Sequence, residues 1–173
     1  LGYLLLSRAK EKKGIPLSLG KEKLMFFPNT DFNPTERAFF LNTAFRLPLP
    51  VARLTSSWGY RSDPFTGERS FHGGVDLAAP VGTEVYAARE GEVVDIGQNS
   101  VYGNYIVMRH GEGWTSLYGH LSKIETSLHK WHSSGSIIGR VGSTGMSTGP
   151  HLHFELSRNG DSVNPGSLLP KGF

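Results

Sequence analysis

Two histidines and a glutamate alternate with apolar residues in His151-Leu152-His153-Phe154-Glu155-Leu156. A strand sends successive side chains to opposite faces, so His151, His153 and Glu155 share one face and Leu152, Phe154 and Leu156 the other. Neighbours on a face lie roughly 6.6 Å apart at Cα, close enough for two imidazoles to serve one metal ion. A solvated strand face that happens to carry two histidines fits the same pattern. Glu155 could orient an imidazole or be a plain surface residue. A second cluster is His72-Gly73-Gly74-Val75-Asp76. In extended chain its histidine and aspartate would stand about 13 Å apart. A bend at the glycine pair, which can reach backbone angles closed to other residues, would let them share an ion. Read alone, the segment is a glycine turn with polar flanks. The third cluster is Trp114-Thr115-Ser116-Leu117-Tyr118-Gly119-His120, where a histidine ends a strand at a glycine, a frequent place for an exposed functional side chain.

The three clusters supply three potential zinc ligands and two spare imidazoles. Catalytic zinc takes three protein ligands and keeps one position open for water. Imidazole and carboxylate are suitable donors, and a histidine outside the ligand set can trade protons near neutral pH. Spacing leaves open which histidines bind and which transfer protons. His110, His129 and His132 belong to none of these patterns and read as surface residues.

The elements that must position these groups are short. Arg53 to Tyr60 reads as a strand ending in a glycine turn. Glu84 to Ala88 and Glu92 to Ile96 read as a hairpin around Arg89-Glu90-Gly91, and Tyr105 to Arg109 with Trp114 to Tyr118 as another around Gly111-Glu112-Gly113. Ser136 to Val141 and His151 to Leu156 are two more strands flanking a loop rich in Gly, Ser and Thr. With 22 glycines and 10 prolines in 173 residues, many short strands joined by turns fit better than long helices. The expectation is an all-β domain of antiparallel sheets from residue 51 to 173. Residues 1–50 read as an extension packing on that domain. It holds an apolar start, a charged run from Arg8 to Lys13, a helical turn near Thr35 to Ala38, and a cluster of Phe26, Phe27, Phe32, Phe39, Phe40 and Phe45 that folds back on the larger domain or covers its groove.

Composition excludes several classes. There is no cysteine, hence no disulfide framework, thiolate metal site or cysteine nucleophile. Leu4-Leu5-Leu6 is too short to span a bilayer, so no transmembrane span is expected. The net charge of +3 favours a polyanionic partner only weakly. No strand shows the alternating aromatic and basic side chains of a base-stacking surface, so nucleic acid is not an expected partner. The hairpin tips Arg89 to Gly91 and Gly111 to Gly113 lack the lysine that a swinging-arm carrier domain needs.

Taken together, the clusters resemble the lysostaphin and LytM type of zinc metallopeptidase. The resemblance covers about residues 51 to 166, on Ser57-Trp58-Gly59-Tyr60-Arg61, His72 to Asp76, Pro80-Val81-Gly82-Thr83, Tyr118-Gly119-His120-Leu121 and the run Gly142 to Glu155. Thr35 to Pro50 looks like the lead-in of cell-envelope members from Gram-negative-type bacteria. The resemblance implies a compact β-sheet domain of barrel-sandwich type with a groove over a zinc ion. It implies that His72, Asp76 and His153 hold Zn2+ and that His120 and His151 are catalytic. It implies peptidoglycan peptides as substrate, a place in the cell envelope, periplasmic or extracellular, and a monomer. Some members have lost ligands and regulate other wall hydrolases, but all five key positions are filled here. Arg61, in the loop before the first ligand, could pair with a substrate carboxylate or with Asp63 or Glu68. Ser133-Ser134-Gly135-Ser136 departs from relatives that carry a lysine and a Gly-Gln pair, away from the motif positions.

Overall fold

Strand-forming residues in the described part of the chain come in runs of two to eleven, and strands make up nearly all the regular structure of the computed structural model. It describes residues 45–62 and 66–170. The expectations placed on the helical turn near Thr35 and on Phe26 to Phe40 lie outside the described residues. Phe45 and Leu49, by contrast, are 4% and 2% exposed and belong to the core of the β-structure. They are tied in by Arg46 N–H to the Ala88 carbonyl at 2.7 Å and by Tyr86 N–H to the Pro48 carbonyl at 2.8 Å.

Twelve strands follow in chain order: β1 Arg53–Ser56, β2 Gly59–Ser62, β3 Arg69–His72, β4 Gly74–Ala78, β5 Glu84–Tyr86, β6 Gly91–Asn99, β7 Gly103–Arg109, β8 Trp114–Ile124, β9 Trp131–His132, β10 Ile137–Val141, β11 His151–Arg158 and β12 Asp161–Val163. Among the described residues all strand pairings are antiparallel. The main sheet runs β1-β4-β11-β8-β7-β6-β9, with β12 on β11 and β10 bridging β8 to β5. β2 and β3 form a separate hairpin. Among the described residues no helix is long and apolar enough to cross a membrane. The all-β antiparallel expectation is met.

Alternation builds the core. Val75 and Leu77 of β4 and Leu152, Phe154 and Leu156 of β11 are at most 1% exposed, while Asp76, His151 and Glu155 face the other way. Tyr118, Ile106 and Met108 extend the apolar layer, and the buried Tyr118 hydroxyl is satisfied by Ala88 N–H at 2.9 Å and Ser116 Oγ at 3.0 Å.

Four local expectations change. Arg53 to Tyr60 is not one strand. It breaks at Ser57-Trp58, β1 pairs with β4, and Gly59, at φ +116°, starts β2 in the other sheet. Glu84 to Ile96 is not a hairpin, because β5 pairs with β10 and β6 with β7 and β9. Ala87 N–H donates instead to the Ser136 carbonyl, and Gly135 N–H to the Ala87 carbonyl, so the turn at Gly135 takes the partner a hairpin would have supplied. The 105–118 hairpin does form as β7–β8, but β8 does not end at His120; it continues to Ile124. Finally, His110 and His132 are buried, at 5% and 7% exposure, because each finds a hydroxyl partner: Ser116 at 2.8 Å and Thr126 at 2.6 Å. Only His129 of the three is exposed, paired with Glu92.

The glycine pair of the second cluster sits at the break between β3 and β4, where the chain passes from one sheet to the other, and it is also needed for room. Neither Gly73 nor Gly74 has positive φ. A Cβ on Gly74 would lie 2.4 Å from the Phe154 carbonyl oxygen and 2.9 Å from Glu155 Cγ. Gly74→Ala must therefore push β4 from β11, and we expect a loss of about 1–3 kcal/mol in urea unfolding. Gly149→Ala, where an added Cβ meets nothing within 4 Å, is expected to stay within about 0.5 kcal/mol.

Candidate metal centre and active site

The register of three strands assembles the site. β11 lies between β4 and β8 and sets His153 opposite Asp76 on one side and Gly119 on the other. His72 closes β3 just before β4 begins. His120 reaches the same place by a bulge. Tyr118 pairs with Ile106 and Leu121 with Asn104, so Gly119 and His120 together face the single residue Tyr105. The extra residue shifts the alternation, returns Leu121 to the core and turns His120 toward the site. His120 takes a left-handed backbone, φ +61°, at the bulge.

His72, Asp76 and His153 bring one donor atom each to a common point. His72 Nε2 is 3.2 Å from His153 Nδ1 and 3.2 Å from Asp76 Oδ1, and His153 Nδ1 is 2.8 Å from Asp76 Oδ1. Zinc ligands at about 2.0–2.2 Å in a tetrahedron stand about 3.3–3.5 Å from one another, slightly wider than this triangle. The outer nitrogens find acceptors of their own. His72 Nδ1–H donates to the Ser57 carbonyl at 3.0 Å, and His153 Nε2–H donates to Glu155 Oε1 at 2.9 Å. His72 Nε2 and His153 Nδ1 are thereby aimed at the Asp76 carboxylate, and this set of two imidazoles and one carboxylate suits a cation between them. The residues present fit zinc on that ground.

Electrostatics point the same way. Burial favours the protonated Asp76 carboxyl, but hydrogen bonds from His153 and His72 outweigh it and hold the carboxyl well below its usual range. Burial disfavours the His153 imidazolium, yet Asp76 and Glu155 together push it up to about 9. The same pull on a proton is a pull on a cation at that nitrogen. Glu155 is not a plain surface residue. Its side chain is 26% exposed, and it also accepts from the Tyr102 hydroxyl at 3.0 Å. Burial would raise it, but His153 and Tyr102 keep it below the ordinary glutamate value.

The other two histidines are held alike. His120 Nδ1–H donates to the Thr144 carbonyl at 2.7 Å, and His151 Nδ1–H to the Gly149 carbonyl at 2.7 Å. Each therefore turns Nε2 toward the groove. Their ring centroids are 4.6 Å apart, and His151 Nε2 lies 3.6 Å from Asp76 Oδ1. Burial pushes His120 down to about 4, with the Thr144 carbonyl opposing and the neighbouring imidazoles reinforcing the shift. All five residues line one cavity of about 280 Å³. Its walls are the β2–β3 hairpin, with Arg61 and Phe71, and the loops carrying Val101, Tyr102 and Met146.

Arg61 reaches into this cavity. Its Nη2 is 3.9 Å from Asp76 Oδ2, and its buried Nε has no partner. Among the described residues it pairs with Asp76 rather than with Glu68, and Asp63 lies outside them. Two further residues went unread in the sequence. Thr144 and Tyr102 hold His120 through their backbone carbonyls, and Tyr102 also reaches Glu155 through its hydroxyl, contacts that leave no mark in side-chain spacing.

Residues 70–165 match peptidase family M23. The chain belongs to this family. That M23 match spans every one of the five residues and agrees with the lysostaphin and LytM resemblance. The M23 chain is 44% identical over 121 residues to the DD-carboxypeptidase/endopeptidase Mpg of Neisseria meningitidis, covering 70% of this chain and 28% of that protein. It is 39% identical over 128 residues to the peptidoglycan DD-endopeptidase ShyC of Vibrio cholerae, covering 73% and 30%. The chain therefore spans less than a third of the length of these two curated relatives. Among solved structures, a zinc-containing peptidase from Vibrio cholerae superposes with a TM-score of 0.66 at 34% identity, over 75% of this chain and 42% of that one. The catalytic domain of lysostaphin from Staphylococcus simulans gives 0.61 at 32% identity, over 66% and 90%.

Proposed function

We propose that this M23 chain is a zinc-dependent endopeptidase that hydrolyses peptide bonds in the stems or cross-bridges of bacterial peptidoglycan, and that it works in the cell envelope, in the periplasm or outside the cell. The observation that carries the reading is the convergence of three lone-pair donors and two further imidazoles with free Nε2 atoms in one groove. The names of the Mpg and ShyC relatives favour a DD bond as the one cut.

In this proposal His72, Asp76 and His153 hold zinc, which when bound polarises a carbonyl and lowers the pKa of water toward 7. His120 is kept as free base by burial, with its ring held by the Thr144 carbonyl, and so suits acceptance of a proton from the attacking water. With a proton on Nε2 as well, His151, on the Asp76 side, would donate that proton to the oxyanion and the departing amine, while the proton His120 takes from the water keeps the count balanced. Both rings are fixed before substrate arrives, because each Nδ1–H is spent on a backbone carbonyl. Digestion of purified sacculi, with products identified by mass spectrometry, tests the reading. Cross-linked dimers should fall to monomers, stop falling with a chelator and fall again with added zinc. Digestion that ignores chelation, or none by a protein that holds one zinc, would overturn it.

Arg61 is proposed to bind a substrate carboxylate in the groove. Arg61→Ala should leave zinc content unchanged and lower kcat/KM by about 1.5–3 kcal/mol, roughly 10–150-fold. Amidating that carboxylate in a synthetic stem peptide should remove most of the difference. A fall in thermal stability that tracks the fall in activity would instead assign Arg61 a structural pairing with Asp76.

A further inference from the structure

Glu155 and Tyr102 line the groove, yet the proposed chemistry gives neither of them a task. Their placement is specific. Glu155 Oε1 takes both the His153 Nε2–H at 2.9 Å and the Tyr102 hydroxyl at 3.0 Å. Space for this carboxylate is made by the glycine pair of β3–β4. A Cβ on Gly73 would sit 3.1 Å from Glu155 Oε1, and one on Gly74 would sit 2.9 Å from Glu155 Cγ. Tyr102 is itself pinned. Its N–H donates to Asn99 Oδ1 at 2.7 Å, its ring packs 5.6 Å from the His153 ring, and its carbonyl accepts the His120 N–H at 2.7 Å. One residue thus braces a ligand strand through its hydroxyl and the bulged histidine through its backbone.

We infer that Glu155, steadied by Tyr102, is a positioning carboxylate that takes the Nε2–H of His153 and so aims Nδ1 at zinc. The inference rests on the ligand set proposed above. An imidazole has two tautomers, and only the one with its proton on Nε2 offers Nδ1 to a metal. An acceptor fixed at Nε2 selects that tautomer and holds the ring plane, the usual work of an outer carboxylate behind a ligating histidine. Tyr102 acts one step further out. It holds the carboxylate so that the carboxylate can hold the ring.

The test is zinc affinity, measured by competition with a chromophoric chelator on the full chain, beside the unfolding temperature of the metal-free protein. Glu155→Ala should weaken zinc binding about 10–100-fold while turnover at saturating zinc largely returns. Glu155→Gln keeps an oxygen at the same reach and should lie nearer the parent than alanine does. Tyr102→Phe keeps the ring and should weaken zinc several-fold, less than Glu155→Ala. Added to Glu155→Ala it should bring no further loss, because its effect passes through that carboxylate. If the alanine variant does not fold, Glu155→Gln and Tyr102→Phe still carry the comparison. Unchanged zinc affinity in Glu155→Ala, or a Tyr102→Phe loss that persists in full without Glu155, would overturn the inference. A fall in metal-free stability with unchanged affinity would do so too, leaving a merely structural role. A parent that binds no zinc, or whose binding survives His153→Ala, would overturn the ligand set and this inference with it. Normal zinc binding through His153 that ignores Glu155 sinks only the inference.

Discussion

His153→Ala is expected to lose zinc and hydrolysis together, whereas His151→Ala keeps the metal and loses only hydrolysis. The two residues sit two positions apart on one face of β11, and composition treats them alike. Their hydrogen bonds do not. His153 spends its outer Nε2–H on Glu155 and turns Nδ1 to Asp76 and His72. His151 spends Nδ1–H on the Gly149 carbonyl and leaves Nε2 free beside His120. Removing His153 takes away one of three donors and leaves Asp76 and His72 facing each other across a gap. Zinc affinity should fall by more than the roughly 10–100-fold that losing an outer partner costs. Removing His151 leaves the donor triangle whole, so metal content should match the parent. Activity should still fall about 10²–10⁴-fold through the lost proton transfer. Metal analysis of both purified variants beside the parent, with muropeptide turnover at saturating zinc, decides the matter. Equal zinc loss in the two would mean that β11 supplies two ligands and that His151 has been given the wrong role.

Much of this site was legible because β11 obeys a simple period. Alternation alone put His151, His153 and Glu155 on one face and the apolar residues in the core, and the structure agrees residue by residue. Pairing partners were less legible. Glu84 to Ile96 carries every local mark of a hairpin, yet β5 pairs with β10, fifty residues on, and the decisive hydrogen bonds come from the turn at Gly135. The glycine pair before Asp76 was visible but its reason was not, since the demand for space comes from Phe154 and Glu155 across the sheet. His110 and His132 read as surface because a sequence does not show which hydroxyl will meet a buried imidazole. The roles of His72, Asp76 and His153 against His120 and His151 came from family resemblance, not from spacing.

His120→Asn is expected to leave the fold and the zinc site intact while removing about 10²–10⁴ of the activity. The argument starts from the backbone. His120 stands at φ +61°, a conformation in which asparagine is among the few side-chain-bearing residues often found. The amide nitrogen of asparagine reaches about as far as the histidine Nδ1, so the bond to the Thr144 carbonyl can persist. Gly119 and Leu121 need not move, and the bulge survives. What disappears is Nε2, the atom proposed to accept a proton, and proton-transfer help of that kind is worth about 10²–10⁴ in rate. His120→Val makes the opposite test. A β-branched side chain at positive φ costs about 1–2 kcal/mol, and an unpartnered Thr144 carbonyl adds about 1–3 kcal/mol. Valine should therefore lower the urea midpoint as well as the rate, while asparagine lowers the rate alone. Should asparagine retain a tenth or more of parental turnover, His120 is not the proton acceptor. Should it lose zinc, His120 is a ligand, and the triangle of His72, Asp76 and His153 is not the whole donor set.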